Sequence, residues 1–224
     1  MLRLETLTKT YRTAEVETLA LNAVSLTIKA GEFVAIMGPS GCGKSTLMNL
    51  MGLLDAPSSG RMEFFGADVD WRSDGALTDM RRDHIGFVFQ NFNLIDELSV
   101  LENVEVPLLY RRLPRGERRE RALAALERVG LSHRARHRPR QLSGGQQQRV
   151  AVARALAPSP KLILADEPTG NLDTANGEAV MDLLKSSAAS GVTVVMVTHS
   201  PAHAAEAGRT IRMLDGCVVS QTVA

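Results

Sequence analysis

Cysteine is scarce in this chain of 224 residues, which contains only Cys42 and Cys217. Two cysteines are too few for a disulfide framework, and they lack the spacing of a metal site, so we expect a reducing, cytosolic environment. Long apolar runs are also missing: no stretch approaches the roughly 18 residues of a membrane span, and the first residues lack the apolar core of a signal peptide. We therefore expect the chain to reach a membrane only through another protein.

Aromatic residues make up only 4% of the chain. Their scarcity helps to interpret residues 111–140, which hold eleven arginines and three glutamates although the formal net charge of the whole chain is +1. Such a basic segment can bind nucleic acid or anionic lipid. No aromatic residue alternates with these arginines to stack on bases, so a solvated helical face is the better interpretation, and we expect no nucleic-acid partner.

The hydrophobic pattern of the first half predicts strands around one helix. Alternating apolar residues predict half-buried strands, and short continuous apolar runs predict buried ones. The predicted strands of this half lie at residues 2–4, 24–28, 33–37, 61–65 and 85–89. Apolar residues at helical spacing predict a helix over residues 44–54, which the sequence APSSG terminates. The polar stretch around Trp71 is poorly patterned, and no chemical function is evident there.

The second half alternates predicted helices with buried strands. Ser99 and Glu102 have the spacing of a capping box, which indicates that a helix begins there. Further helices are predicted at residues 117–129, 143–157 and 178–187, and strands at residues 162–165 and 192–197. Asp215 and Gly216 lie between two short apolar runs and predict a hairpin. The pattern indicates an α/β protein with a helical middle section.

A glycine-rich loop follows the predicted strand at residues 33–37. Its sequence satisfies the pattern G-x-x-x-x-G-K-[ST], with a strand before it and a helix after it. The glycines allow successive backbone N–H groups to face phosphate oxygens, and the helix dipole adds positive charge. Lys44 is expected to contact the β- and γ-phosphates of ATP and to contribute to catalysis, and Ser45 to bind Mg²⁺. The predicted loop comprises Gly38, Pro39, Ser40, Gly41, Cys42, Gly43, Lys44, Ser45 and Thr46.

Two carboxylates end the apolar strand in the sequence LILADEP. The carboxyl ends of parallel strands are where α/β sheets bind their ligands. Asp166 is expected to hold Mg²⁺, and Glu167 to orient or deprotonate the water that attacks the γ-phosphate. An acidic strand end is common by itself. Downstream of a phosphate loop, it predicts ATP hydrolysis.

A second anion-binding element lies in the sequence QLSGGQQQRVAVARAL. Ser143, Gly144, Gly145 and Gln146 stand at the start of a predicted helix, where a hydroxyl group and backbone N–H groups can bind a phosphate. An ordinary serine-capped helix would explain this segment in isolation. Together with the phosphate loop and the acidic strand end, its complete LSGGQ sequence resembles the ABC ATPase family, and the resemblance covers essentially the whole chain.

The resemblance implies roles for further residues. Gln90 is similar to the glutamine of the Q-loop, which contacts Mg²⁺ or the attacking water, and Asp173 lies in a segment similar to the D-loop, which crosses the dimer interface. His199 resembles the switch histidine at the γ-phosphate, and Tyr11 resembles the aromatic residue that stacks on adenine. Without the family, a lone histidine or aromatic residue at these positions is more typical of a structural role.

The resemblance also implies a fold and an assembly. The implied fold is an α/β P-loop NTPase, with an antiparallel β subdomain and a RecA-like parallel core at residues 1–90 and 161–224 and a helical subdomain at residues 91–160. The implied assembly is a head-to-tail dimer with two ATP molecules, each between the phosphate loop of one copy and Ser143–Gln146 of the other. A separately encoded membrane permease would hold this dimer at the inner face of the cell membrane.

Finer details of the sequence are similar to one branch of the family. They are an insertion at residues 13–18 and the sequences FVFQNFNLIDELSVLENVEVPL, SGGQQQRVAVARAL and ADEPTGNLD. This branch contains lipoprotein-release, macrolide-efflux, antimicrobial-peptide-resistance and cell-division ATPases.

Two other functions are weighed against this branch. A soluble ABC-type ATPase that acts on nucleic acid or ribosomes is the main alternative. The sequence lacks the long heptad repeats of DNA-repair members and has one ATPase unit, where translation factors have two. A small-molecule P-loop kinase would leave LSGGQ unexplained.

Overall fold

The computed structural model describes residues 1–12 and 16–223. Residues 13–15, part of the insertion expected at residues 13–18, lie outside the described residues. The described strands are β1 (Leu2–Arg12), β2 (Glu17–Ile28), β3 (Phe33–Met37), β4 (Ser59–Phe64), β5 (Ala67–Asp68), β6 (Ile85–Val88), β7 (Leu162–Asp166), β8 (Thr193–Val197), β9 (Arg209–Leu214) and β10 (Cys217–Val223). The α-helices are α1 (Lys44–Met51), α2 (Asp74–His84), α3 (Val100–Leu109), α4 (Arg115–Arg128), α5 (Gly144–Leu156), α6 (Thr174–Ala189) and α7 (Pro201–Ala205).

The central sheet has six strands in the order β10-β9-β3-β8-β7-β6. The strands from β9 to β6 pair in parallel, and β10 joins β9 as an antiparallel edge strand. The residues of β3, β7 and β8 are almost all apolar and buried, as expected for parallel strands that are covered on both faces. The loops that follow β3, β6, β7 and β8 therefore meet at one edge of the sheet.

A smaller antiparallel sheet has the strand order β2-β1-β4-β5. Leu2 and Leu4 alternate with more exposed residues in β1, as the sequence predicts, and they pair with Ile28 and Leu26 of β2. The two sheets together confirm the predicted α/β fold class, with a parallel core and a separate antiparallel sheet.

The central sheet separates two hydrophobic cores. Val34 and Ile36 of β3 belong to a core that includes residues of α1 and of the antiparallel sheet. Ala35, between them, belongs to the other core, which includes residues of α3, α4, α5 and α6. Successive side chains of a strand point to opposite faces, so one strand contributes to both cores. The helix that follows the phosphate loop is thus anchored by apolar packing through Leu47 and Leu50.

Three helices, α3, α4 and α5, lie between β6 and β7 in the chain and pack against one another. Both α3 and α5 begin with a capping box, at Ser99 and Ser143, and each serine oxygen accepts a hydrogen bond from the backbone N–H three residues later. The capping box that was predicted at Ser99 is therefore present. In the part of the chain that the structure describes, no helix is both long and apolar enough to cross a membrane.

The helix α2 is one element that the hydrophobic pattern does not predict. It occupies residues 74–84, in the polar stretch after Trp71, and Leu77 is its one fully buried residue. A helix with so narrow an apolar face leaves little periodicity in the sequence. Polar contacts define it instead: Ser73 accepts a hydrogen bond from the N–H of Ala76, and Arg82 forms an ion pair with Asp79.

Candidate functional site

The glycine-rich loop joins β3 to α1 at the edge where the parallel strands end. Gly43 has a φ of 97°, and a Cβ atom there would lie 2.3 Å from the carbonyl oxygen of Ala20. A Cβ atom at Gly38 would lie 2.3 Å from the carbonyl oxygen of Met213. Real Cβ atoms do not approach so closely, so both positions require glycine. The loop can take this tight path only without side chains at these points.

The N-terminus of α1 suits an anion. Among the described residues, no side chain caps this helix end, so its first backbone N–H groups remain available. Lys44 is buried, and its Nζ donates hydrogen bonds to the carbonyl oxygens of Gly38 (3.0 Å) and Pro39 (2.8 Å). These bonds hold its ammonium group within the curve of the loop. Ser45, the next residue, is exposed.

The last hairpin of the chain also supports the loop. The backbone N–H of Gly216, in the turn between β9 and β10, donates a hydrogen bond to the carbonyl oxygen of Cys42 (3.1 Å). The Cys42 thiol is buried beside Gly38. Cys42 therefore fills space within the loop.

Asp166 is the last residue of β7 and is partly buried. Burial raises the pKa of its carboxyl group, and the adjacent charge of Glu167 raises it further, whereas Lys44 and His199 act in the opposite direction. The charges of Glu167, Lys44 and His199 therefore all act on the Asp166 carboxyl group. A nearby divalent cation would reduce the cost of ionising Asp166 here.

Glu167 follows β7 with an unusual backbone conformation, a φ of 44°. A left-handed conformation costs a non-glycine residue about 1–3 kcal/mol, so the surroundings must hold it. The backbone N–H of Glu167 donates to the carbonyl oxygen of Val197 (2.9 Å), the last residue of β8. Its carboxylate Oε1 lies 2.9 Å from Nε2 of His199, two residues beyond β8. The ends of two neighbouring strands thus bring together the acid and the histidine that the sequence singles out.

Gln90 follows β6 and contacts the segment after Glu167. Its Nε2 donates to Oδ1 of Asn171 (3.3 Å), and Nδ2 of Asn171 donates back to the backbone carbonyl of Gln90 (3.2 Å). Gly170 allows this approach, because a Cβ atom there would lie 2.9 Å from Nε2 of Gln90. Asn171 was not among the predicted site residues. Its position in the sequence ADEPTGNLD, two residues before Asp173, could have indicated that Asn171 lies at the site.

The segment Ser143–Gln146 comprises the N-cap and first residues of α5, and the side chains of Ser143 and Gln146 each accept a hydrogen bond from the other residue's backbone N–H. The Ser143 hydroxyl accepts from the N–H of Gln146 (3.3 Å), and Oε1 of Gln146 accepts from the N–H of Ser143 (3.1 Å). A Cβ atom at Gly145 would lie 2.1 Å from the side chain of Asn176 in α6. Close packing therefore requires glycine at this position, while Gly144 is less tightly enclosed.

Asp173 and Tyr11 each have an intramolecular partner. Asp173 caps α6, and the hydrogen bonds from the backbone N–H and side chain of Asn176 lower the pKa of its carboxyl group. Tyr11 lies within β1 and is 41% exposed, and its hydroxyl donates to Asp55 (2.9 Å). This exposed ring is compatible with the predicted adenine contact, which stays a prediction.

The sequence profile of ABC transporters matches residues 21–170, more than half of the chain. This chain belongs to the ABC transporter family. It is an ATP-binding cassette of the family, and its enzymatic activity is that of an ATPase.

Several ABC proteins resemble it along its whole length. The ABC transporter ATP-binding protein YvrO of Bacillus subtilis (strain 168) is 49% identical over 219 residues, which cover 98% of this chain and 96% of YvrO. The macrolide export ATP-binding/permease protein MacB of Azoarcus sp. (strain BH72) is 50% identical over 220 residues, or 98% of this chain. The chain spans only 34% of the length of that MacB.

One solved ABC structure resembles it closely. This is the dimeric structure of a post-hydrolysis state of the ATP-binding cassette MJ0796 bound to ADP and Pi. It superposes with a TM-score of 0.92 at 49% sequence identity, over 100% of this chain and 98% of that one. The ABC resemblance that the sequence motifs imply is therefore confirmed.

The residues of the ABC site fit a magnesium ion. Mg²⁺ prefers oxygen ligands and is usually bound by one or two carboxylates together with phosphates of the substrate. Ser45, Gln90 and Asp166 offer a hydroxyl, an amide oxygen and a carboxylate, and the described residues contain no cluster of three or more acidic, histidine or cysteine ligands. When bound, the ion would neutralise charge on the phosphates during their transfer.

Proposed function

We propose that this chain is the ATP-hydrolysing subunit of a membrane transporter and that it works as a head-to-tail dimer. The observation that carries this proposal is the 2.9 Å contact between Glu167 and His199 beside the buried Lys44, at the edge where the phosphate loop lies. A carboxylate, an imidazole and an ammonium group thus lie at the same edge of the central sheet. We assign Glu167 to the attacking water and His199 to the γ-phosphate.

The site is completed by a second copy of the chain. Ser143–Gln146 supplies a helix N-terminus with no charged side chain, so this segment can bind a phosphate but cannot itself transfer a proton. In the proposed dimer it covers the nucleotide that the partner's phosphate loop binds, and Asp173 lies at the interface. Two such sites are equivalent by two-fold symmetry. MJ0796, which shares the fold closely, has been solved as a dimer.

Hydrolysis becomes movement if ATP binds the closed dimer more tightly than the open one. Closure then follows ATP binding, and opening follows hydrolysis and phosphate release. We propose that residues 91–160 act as a helical subdomain that passes this movement to a permease through the Gln90 segment.

A groove beside that segment suits a helix of the permease. It has a volume of about 550 Å³ and lies between α2, α3 and the ends of β6 and α5. Leu54, Phe87, Val106, Pro107 and Tyr110 give it an apolar lining, and Leu54 and Tyr110 are exposed. An apolar groove of this kind can accept the apolar face of a helix. Such a partner would hold the chain at the inner face of the cell membrane.

Export is the transport class that the relatives favour. MacB is named as a macrolide exporter, and SyfD of Pseudomonas syringae pv. syringae (strain B728a), 48% identical over 223 residues, as a probable syringafactin exporter. Their names combine ATP-binding and permease functions, which supports a permease partner here over nucleic acid or ribosomes. We propose that ATP hydrolysis by this chain drives a permease for export, lipoprotein release or mechanotransmission.

Dimer trapping tests the central claim. Glu167→Gln should convert from one chain to two in size-exclusion chromatography with light scattering when Mg²⁺ and ATP are added. The double variant Glu167→Gln/Ser143→Arg should stay monomeric, because the arginine occupies the place of the phosphate-binding turn. A Glu167→Gln variant that remains monomeric at saturating ATP would refute the shared site.

Crosslinking tests the permease partner. A photo-reactive amino acid in place of Tyr110 should give an adduct with an integral membrane protein in the source cell, identified by mass spectrometry. The same amino acid in place of Glu178, an exposed residue of α6 outside the groove, is the control. Adducts with ribosomal or DNA-bound proteins would support the soluble alternative.

A further inference from the structure

Gln148 is a fully buried amide on α5, two residues after the signature segment. Its Nε2 donates hydrogen bonds to two backbone carbonyls, of Phe89 (3.2 Å) and of Pro168 (2.6 Å). Phe89 precedes Gln90, and Pro168 follows Glu167. One side chain therefore bonds the signature helix to both segments that carry predicted catalytic residues.

The orientation of this amide is fixed by its partners. Two carbonyl oxygens require a donor, so the NH₂ group must face them. Its Oε1 is buried and has no hydrogen-bond partner in the part of the chain that the structure describes. A buried unpaired acceptor loses its hydration without gaining a hydrogen bond. An apolar residue would remove the unpaired acceptor, but it would also take both hydrogen bonds from the carbonyl oxygens of Phe89 and Pro168.

The signature helix is tied firmly to the same region at other points. Arg154, further along α5, donates to the carbonyl oxygens of Phe92 (2.8 Å) and Asn93, just beyond Gln90. A Cβ atom at Gly86 in β6 would lie 2.6 Å from the carbonyl oxygen of Ala155. These contacts hold α5 against β6 and the Gln90 segment. Neither the Arg154 bonds nor the Gly86 contact involves the segment after Glu167, whereas Gln148 bonds to Pro168 in that segment.

We propose that Gln148 is a positioning residue that links the two nucleotide sites of the dimer. The first turn of its helix serves the nucleotide of the partner subunit, whereas its amide holds Gln90 and Glu167 at the nucleotide of its own subunit. Engagement of Ser143–Gln146 at one site thereby sets the geometry of hydrolysis at the other. This inference rests on the proposed head-to-tail dimer.

Gln148→Met tests this role, because methionine has a similar length and no donor. Displacement of a catalytic group by about 1 Å can reduce a rate a hundredfold, so we expect kcat for ATP hydrolysis to fall at least about tenfold. KM for ATP should stay within about twofold, because the phosphate loop is unchanged. Cooperativity of hydrolysis with respect to ATP concentration should disappear. A merely structural role would not change cooperativity in a variant that melts at the parental temperature.

Gln147→Met is the matched control. Gln147 is the adjacent residue on α5, and its amide donates to the carbonyl oxygen of Leu142, just before the same helix. Its kcat and cooperativity should match those of the parent. If Gln148→Met retains both, or if the two variants lose activity equally, the inference is overturned.

Dimer trapping separates this inference from the proposed function. Glu167→Gln/Gln148→Met should still form the ATP-bound dimer, because Gln148 acts on the chemical step. Failure of Glu167→Gln alone to dimerise contradicts the shared site itself. Should Gln148→Met not fold, Gln148→Asn, whose amide is one methylene shorter and cannot reach both carbonyl oxygens, is judged by the same criteria.

Discussion

The phosphate loop and the signature segment both end in a helix N-terminus, but they are built differently. At the phosphate loop, no described side chain caps α1, and Lys44, Asp166, Glu167 and His199 converge beside it. At the signature, Ser143 and Gln146 cap each other and no charged residue lies within the segment.

This difference separates chemistry from recognition. The first region carries the charges that we assign to ATP hydrolysis, and burial disfavours the ionised form of one of its carboxylates, Asp166. The second offers only a hydroxyl and backbone N–H groups, which suit a phosphate that another surface has already bound. In the proposed dimer, each nucleotide contacts the phosphate loop of one copy and Ser143–Gln146 of the other. A single chain therefore contains both regions but uses them on different nucleotides.

Removal of the carboxylate from the first region should have the largest effect. Glu167→Gln keeps the size of the side chain but cannot accept a proton, so we expect kcat to fall about 1000-fold with ATP affinity retained. Phosphate release and binding of a fluorescent ATP analogue measure the two quantities. The control is Glu178→Gln, at an exposed position of α6. If Glu167→Gln hydrolysed ATP at the parental rate, the assignment of the chemical step to Glu167 would be wrong.

Obstruction of the second region should have the next largest effect. Ser143→Arg places a long side chain at the first turn of α5, and we expect hydrolysis to fall about 100-fold, as when a preorganised donor to a phosphate is lost. Nucleotide affinity of the monomer should not change, because residues 38–46 are untouched. Unchanged hydrolysis at high protein concentration would argue that the signature takes no part.

A pair of serine caps sharpens the comparison further. Ser99→Ala and Ser143→Ala each remove a capping box, and each should lower the free energy of unfolding by about 1 kcal/mol. Only Ser143→Ala should also lower ATP hydrolysis. Urea denaturation and steady-state kinetics on both variants check this. Equal kinetic losses would mean that the cap of α5 serves stability alone.

The smallest effect concerns stability of the first region. Burial raises the folded-state pKa of Asp166, so its ionised form destabilises the fold at every pH above that pKa, and the penalty disappears as pH falls through it. Asp166→Asn should therefore raise the melting temperature at neutral pH, because the amide carries no charge to bury. The difference between variant and parent should shrink under acid. A lower melting temperature for Asp166→Asn would contradict this.

The sequence predicts the phosphate loop well because the motif specifies both residue type and spacing. The strand before it and the helix after it are confirmed, and steric contacts explain the glycines at positions 38 and 43. The parallel core follows from apolar runs such as Leu162–Ala165, which only a sheet covered on both faces can bury.

The sequence does not predict contacts made across the fold. Asn171 meets Gln90 and Gln148 meets Pro168 only because loops from separate strands end at one edge. The left-handed backbone of Glu167 likewise occurs together with a hydrogen bond to Val197, at the end of another strand. α2 is missed for the opposite reason, since its stability depends on local polar contacts and little on apolar periodicity.

The hairpin between β9 and β10 has a consequence for biogenesis. The carbonyl oxygen of Met213 packs against Gly38, and the N–H of Gly216 donates to the carbonyl oxygen of Cys42. Each pair is separated by more than 170 residues in the sequence. A contact of such long sequence separation forms late, because the intervening chain must first be ordered. During synthesis on the ribosome, the loop should therefore acquire its final curvature, and with it protection by nucleotide, only after the β9–β10 hairpin has emerged from the exit tunnel.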